Sequence, residues 1–323
     1  MQILITGVAG FIGYNIANYL LHKSDVKIVG IDSLNNYYSK KLKKDRVRKL
    51  LKYKKFSFFH TNILNKKKLE IIFKNKKINL VINLAAQAGV RYSLEKPNEF
   101  FDNNIQGFYN LIDVAKKYKI KKIIYASSSS IYGDTKKFPL NENQIVKPKN
   151  IYALSKKINE EMAEVFYKQY NISFIGLRFF TVYGQWGRPD MFMMKYLTSS
   201  YNLNKKFYLN NYGNHTRDFT YINDVCKIMK RLVFLKKKKI HHEVYNVCSN
   251  KPVKLISVIN SINVLTTKKP KIYKRGLQEA DVVKTHGSNK KILSLIGPQK
   301  FTQLKKGLKN TIQWYKKYYN FKI

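Results

Sequence analysis

The chain has 323 residues, enough to bury a large core in one domain or two closely packed ones, and its 62 Lys plus Arg against 19 Asp plus Glu give a net charge of +43. Such an excess raises nucleic acid or an anionic membrane as a partner, yet the lysines are spread along the whole chain, with short clusters at 66–68 and 236–239 and no basic helix or low-complexity tail. Solvated surface lysine is therefore expected, not nucleic-acid binding; an anionic substrate would still be drawn in.

Residues 3–6, Ile-Leu-Ile-Thr, form a β-branched run that breaks into glycines at 7, 10 and 13, followed by an apolar helical pattern at Ile16, Ala17, Leu20 and Leu21. This reads as strand, tight turn, helix. In such a unit Gly7 permits the turn, Gly10 lets the backbone approach a pyrophosphate, and Gly13 lets helix and strand pack, while the helix start offers free N–H groups and a positive dipole end. A second strand over 27–31 leads into Asp32, about twenty residues past the last glycine. A carboxylate there binds an adenosine ribose diol and repels a 2′-phosphate, so NAD is expected, not NADP.

Further short apolar runs at 55–59, 80–84, 122–126 and 173–177 alternate with helical patterns, which predicts an α/β fold built on a Rossmann-like doubly wound parallel sheet. Ligands of such sheets lie beyond the carboxyl ends of the strands, which brings Asn62, Leu84-Ala85-Ala86 and the serine run 127–130 toward the cofactor. Residues 98–118 carry apolar side chains at Phe101, Ile105, Phe108, Ile112 and Ala115, the pattern of one regular helix with a buried face. After about residue 180 the pattern becomes irregular. A smaller α/β substrate domain over 181–323 is expected beside an NAD-binding domain over 1–180, with some segments interleaved and helices over 255–265 and 304–319. No apolar run approaches the ~20 residues of a membrane span. The N-terminus enters its first strand without a basic leader or cleavage site, and two cysteines, Cys226 and Cys248, with six scattered histidines, suit neither a disulfide framework nor a metal site. A cytoplasmic protein without a metal is expected.

Tyr152 and Lys156 stand four apart and share one face of a helix. A tyrosine becomes a usable base near neutral pH only if its pKa falls well below ~10, which a neighbouring ammonium and a nicotinamide cation would both favour. Alone the spacing is common; joined to a serine run at a strand end and a dinucleotide turn in the same chain, it points to catalysis.

The stretches TGVAGFIG, GIDSLNNYY, NLAAQAGVRYSLEKP, YASSSSIYG, YALSK, LRFFTVYGQWGRPDM and RDFTYINDV resemble the extended short-chain dehydrogenase/reductase family over nearly the whole chain, and within it the UDP-glucuronate 4-epimerases. The resemblance implies a UDP-sugar substrate and a homodimer packed through helices at 98–118 and 151–170. It implies catalysis by Ser128, Tyr152 and Lys156. Cofactor contacts would come from Gly7, Gly10, Phe11, Ile12, Gly13, Asp32, Ser33, Asn35, Asn62, Ile63, Leu84, Ala85, Ala86, Gln87, Asn104, Ser127, Tyr152, Lys156, Phe179 and Val182, Asn104 also supporting the active-site helix. Substrate contacts would come from Arg91, Ser128, Ser129, Tyr152, Thr181, Arg188, Arg217 and Gln278, Thr181 and Arg188 lying near the sugar carboxylate and diphosphate. Departures from the family pattern are Asn62 for an aspartate at the adenine, Asn83 for a histidine, Ser33 for an asparagine, and Gln278-Glu279-Ala280-Asp281 for a Pro-Gly-Asp ending.

The expected reaction is NAD-dependent 4-epimerisation through a 4-keto sugar. Alternatives are UDP-glucose/UDP-galactose 4-epimerisation and a dehydratase or decarboxylase. The last two call for an acid or base after the catalytic serine, where Ser129-Ser130-Ile131 stands. A non-catalytic RNA-binding module is the remaining alternative, and the Tyr152/Lys156 pair speaks against it.

Overall fold

The computed structural model describes residues 1–202, 204–235, 241–279 and 281–321. The lysine cluster at 236–239 lies outside the described residues, as does Ala280. Strands β1 (Gln2–Thr6), β2 (Lys27–Asp32), β3 (Phe56–His60), β4 (Leu80–Asn83), β5 (Lys122–Ser128) and β6 (Ser173–Phe179) are followed by β7 (Thr181–Tyr183), β8 (Phe207–Leu209), β9 (Thr216–Tyr221), β10 (Glu243–Val247), β11 (Pro252–Lys254) and β12 (Ile272–Lys274). The central sheet runs β10-β6-β5-β4-β1-β2-β3 with every neighbouring pair parallel. Its inner strands β1, β2, β4 and β5 are buried on both faces and rich in Ile, Leu and Val, while the edge strand β3 is only partly buried. The strand order reverses between β1 and β4, which opens a crevice beyond their carboxyl ends. The seventh strand, β10, comes from the irregular half of the chain and extends the sheet beside β6.

Two expectations need correction. Residues 98–118 do not form one regular helix: a short turn at Pro97–Phe100 passes into a π-helical segment, Phe101–Gln106, before the α-helix Gly107–Lys117. The wide turn shifts the register, so Phe108, Ile112 and Ala115 are buried while Phe101 is left 44% exposed. There is also a basic helix after all, at Lys40–Leu50, capped by the Ser39 hydroxyl, and two of its cations point inward. Helices at Ile151–Tyr170, Leu255–Thr266 and Leu304–Tyr318 stand within a residue of expectation. Among the described residues no helix is long and apolar enough to cross a membrane.

Candidate active site

At the end of β1 the chain turns at Gly7 (φ +68°), where the Gly10 N–H donates to the Gly7 carbonyl at 2.9 Å. A methyl on Gly7 would meet the Leu84 carbonyl carbon and the Ala85 nitrogen at 2.7 Å, and one on Gly13 would meet the Gly7 oxygen at 2.2 Å. The backbones are thus as close as glycine allows. The helix Phe11–Lys23 starts at Gly10 without a side-chain cap, so its first N–H groups are left for a ligand. A single cleft joins this turn to Asp32, to Leu84–Gln87 beyond β4, and to Ser127, Ser128, Tyr152, Lys156, Phe179 and Val182. Ser33, Asn35, Asn62 and Ile63 line its far end.

The Asp32 carboxylate accepts from the Ala9 N–H at 3.0 Å and the Leu34 N–H at 2.8 Å, one on each oxygen, and retains lone pairs for a diol. Burial pushes its pKa up, against the pull of those N–H groups and of Lys43. Lys43, which lines the cleft, and Arg46, which lies behind it, were not anticipated from the sequence. Lys43 is buried in the cleft wall, donates to the Asn35 carbonyl at 2.8 Å and to the Asn35 side chain, and lies 4.3 Å from the Tyr38 ring centroid. Burial lowers its pKa to about 8. Arg46, fully buried, donates to Ala9 O at 2.7 Å and to the carbonyl of Trp186, tying the glycine turn to the loop before Arg188. The helix offered a signal: Leu42, Val47 and Leu50 put Lys43 and Arg46 on the same inward face. Tyr37, Tyr38, Phe180 and Met191 also line the cleft and were not anticipated.

The helix Ile151–Tyr170 begins at Asn150, whose side chain caps the Ala153 N–H at 2.9 Å, and it aims Tyr152 and Lys156 at the end of β5. Ser128 lines the cleft beside the Tyr152 phenol. Lys156, 3% exposed, donates to the Ala126 carbonyl at 2.9 Å, and burial lowers its pKa to about 8. The expectation that the lysine ammonium lowers the tyrosine is not met: burial raises the Tyr152 pKa, and the opposing groups are Ser128 and the Arg188 guanidinium. Lys156 is turned to a backbone carbonyl, so from the chain alone the phenol is a weak base. The positive charge of a nicotinamide ring is the further term that chemistry supplies.

Asn104 sits in the π turn, buried, with its oxygen accepting the Gln87 N–H at 2.7 Å and its amide donating to Gln87 O at 3.0 Å and to Ser155 Oγ at 2.9 Å. It does not line the cleft; it fixes the strand-end loop against the helix that carries Tyr152. Arg188 does line it, forking onto Asp190, with Nε at 3.0 Å, beside Tyr37. Of the departures, Asn62 orders the turn by accepting the Leu64 N–H at 3.0 Å, and Asn83 accepts from the Thr6 hydroxyl inside the core.

The remaining candidates are not among the lining residues, though Ser129 follows Ser128 and Thr181 lies between Phe180 and Val182, which are. Ser129 opens the 3-10 turn Ser129–Tyr132 and Thr181 opens β7. Arg91 forks onto Asp281 at 2.6 and 3.3 Å, and Arg217 on β9 donates to Val283 O at 2.8 Å. Burial chiefly, and Arg91 as well, lower Arg217 to about 10, with Asp281 opposing. His215 joins them, its Nε2 buried and 3.8 Å from Asp281. Gln278 bonds to the carbonyl of Gly276, two residues away. Arg91, Arg217, His215 and Asp281 form a second polar cluster, on the β9 side of the molecule.

A doubly wound parallel sheet with a glycine turn, an acid after β2 and a Ser/Tyr/Lys group at the crevice defines a dinucleotide-binding enzyme of the short-chain dehydrogenase/reductase type. The match of residues 3–248 to the NAD dependent epimerase/dehydratase family makes the assignment specific: the chain belongs to that family. It is 38% identical to protein CapI of Staphylococcus aureus, covering 99% of both chains, and 35% identical to a UDP-glucuronate 4-epimerase of Thermodesulfobacterium geofontis, covering 97% of this chain and 95% of that one. The crystal structure of UDP-glucuronic acid 4-epimerase from Bacillus cereus in complex with UDP-glucuronic acid and NAD superposes with a TM-score of 0.92 at 29% identity, covering 99% of this chain and all of that one.

Proposed function

We infer that the protein interconverts UDP-glucuronate and UDP-galacturonate, with NAD as a resident cofactor. The observation that carries this is the single cleft joining the glycine turn to Ser128, Tyr152 and Lys156, in a chain alike over almost its full length to UDP-glucuronate 4-epimerases. NAD, when bound, accepts and returns the hydride of C4. Gly7, Gly10, Gly13 and the helix N-terminus would hold its pyrophosphate, Asp32 and Lys43 its adenosine ribose, and Lys156 its nicotinamide ribose. Tyr152 takes the proton of the sugar 4-hydroxyl and later returns it, and Ser128 orients that oxygen. The ketone then presents its other face. A 4-keto hexuronate is a β-keto acid; Thr181, Arg188 and Ser129 hold its carboxylate out of the alignment that decarboxylation needs.

We assign residues 1–180 to NAD and 181–323 to the sugar nucleotide, with β10 interleaved into the first unit, and Arg91 and Arg217 to the diphosphate end, where paired guanidinium forks suit phosphate oxygens. We also propose a cytoplasmic homodimer. Exposed Phe101, Tyr109, Leu154 and Val165 on neighbouring helices are the apolar surface that supports it. The functional reading is tested by incubating the purified protein with UDP-glucuronate, without added NAD, and following the sugar by NMR. UDP-galacturonate should appear; turnover of UDP-glucose alone, release of carbon dioxide or no reaction would overturn it.

A further inference from the structure

Below the reacting end of the cleft lies a buried ionic group that the mechanism above does not use. Tyr152, Lys156 and Glu160 recur at four-residue spacing on one face of the helix Ile151–Tyr170. Ser127 on β5 is paired with Arg178 on β6, and Arg178 with Asn246 on β10, so all three side chains leave the sheet on one face at one level. Arg178 forks onto Glu160, Nε to Oε1 at 2.9 Å and Nη2 to Oε2 at 2.8 Å. Its Nη1 donates to the Tyr132 hydroxyl at 2.9 Å, which donates to Asn246 at 2.8 Å. Burial works against the Arg178 charge, but the bonds and charge of Glu160 outweigh it and hold its pKa above the usual value. The Ser127 hydroxyl donates to Glu160 Oε1 at 2.6 Å. Ser127, Glu160 and Arg178 are all less than a tenth exposed.

A guanidinium has donors only, so both Glu160 oxygens act as acceptors and the hydrogen between Ser127 and Glu160 belongs to the serine. A hydroxyl has one hydrogen. We propose that Glu160 and Arg178 are positioning residues that fix Ser127 as an acceptor-only wall of the cleft. Ser127 can then take a hydrogen from a ligand hydroxyl or amide but offers nothing to a ketone or carboxylate oxygen. Ser128 is placed differently: its oxygen accepts the Ser130 N–H at 3.1 Å, and among the described residues no carboxylate takes its hydrogen, which is left for Tyr152 or a ligand. Adjacent serines thus have opposite polarity. Of the two adjacent serines, a 4-keto sugar turning in the cleft then finds a donor at Ser128 and none at Ser127, so whichever face it shows, the C4 oxygen is drawn to the side of Ser128 and Tyr152. That consequence rests on the epimerase reading; the polarity of Ser127 does not.

The test has two arms. Neutron diffraction from the perdeuterated holoenzyme should place a deuteron on Ser127 Oγ directed at Glu160; a deuteron on the carboxylate, or on Ser127 and aimed into the cleft, would overturn the proposal. Kinetically, Ser127→Ala should lower kcat about tenfold with little change in KM, the loss of one hydrogen bond. Glu160→Gln combined with Arg178→Met removes both charges together and should cause a similar loss. The triple variant should be no worse than Ser127→Ala, because the pair acts through that hydroxyl. Losses that multiply would mean a merely structural role and would sink the idea. Should the double variant not fold, the neutron arm decides alone. Absence of turnover by the wild type would defeat the epimerase reading and leave the deuteron to decide this one.

Discussion

Gly13→Ala isolates the fit between the glycine turn and its helix. The added methyl would lie 2.2 Å from the Gly7 oxygen, 2.9 Å from the Gly7 carbon and 3.0 Å from Val8 Cα, all backbone atoms. The Gly7 carbonyl cannot swing away, because it also accepts the Gly10 N–H at 2.9 Å. Restoring ordinary contact requires the helix start to move by roughly 1 Å, and overpacking of that kind costs about 1–3 kcal/mol. An unfolding entropy of roughly 2.1 cal/mol/K per residue gives about 0.7 kcal/mol/K for 323 residues, so the melting temperature should fall by about 1.5–4 °C. Cofactor retention should suffer more, since a shift of about 1 Å in positioned groups is worth up to a hundredfold. Thermal melts and the NAD released on denaturation, measured beside Gly276→Ala, provide the assay. A methyl added at Gly276 would have no atom within 4 Å, so that variant should match wild type in both. A Gly13→Ala protein that retains NAD as wild type does would refute the close-approach argument.

Tyr152→Phe keeps the ring against Phe100, 6.2 Å between centroids, and should fold and retain NAD while kcat falls by about two to four orders of magnitude; near wild-type turnover of UDP-glucuronate would remove Tyr152 from the chemistry. Lys43 and Lys156, both lowered to about 8 by burial, are charged in the folded protein only below that pH, against 10.5 for an ordinary lysine. Between about 8 and 10.5 the unfolded chain therefore holds more protons, so these two groups make stability rise with pH there, while NAD rebinding to stripped protein weakens; Lys43→Met with Lys156→Met should flatten the binding profile, and an unchanged slope would contradict it. Phe101→Glu with Val165→Glu should yield a folded monomer by light scattering at micromolar concentration, and an unaltered dimer would move the interface elsewhere.

Much of this architecture is legible from residue order alone. The alternation of β-branched runs with helical spacing gives six of the seven strands of the sheet to within two residues at their ends, and Ile151–Tyr170 stands where its spacing puts it. The π turn at Phe101–Gln106 was not legible, since its apolar residues keep helical spacing and the bonds of Asn104 to Gln87 and Ser155 that accompany the wider turn are tertiary. Lys43 and Arg46 stand in a helix of seven cations, and only their place between Leu42, Val47 and Leu50 sets the two that face inward apart from the five that do not. β10 reads as one more irregular segment, because joining β6 is a tertiary choice with no local signature. The Ser127, Glu160 and Arg178 group needs the register of two strands and a helix, which no single stretch of sequence contains.

The central claim, that one bound NAD removes and returns the same hydride while Tyr152 handles the proton, is tested most directly by isotope retention. UDP-glucuronate carrying deuterium at C4 is converted in ordinary water by protein as purified, without added cofactor, and the product is read by NMR and mass spectrometry. The account predicts UDP-galacturonate with deuterium still at C4. Product that has lost the label to solvent would contradict it.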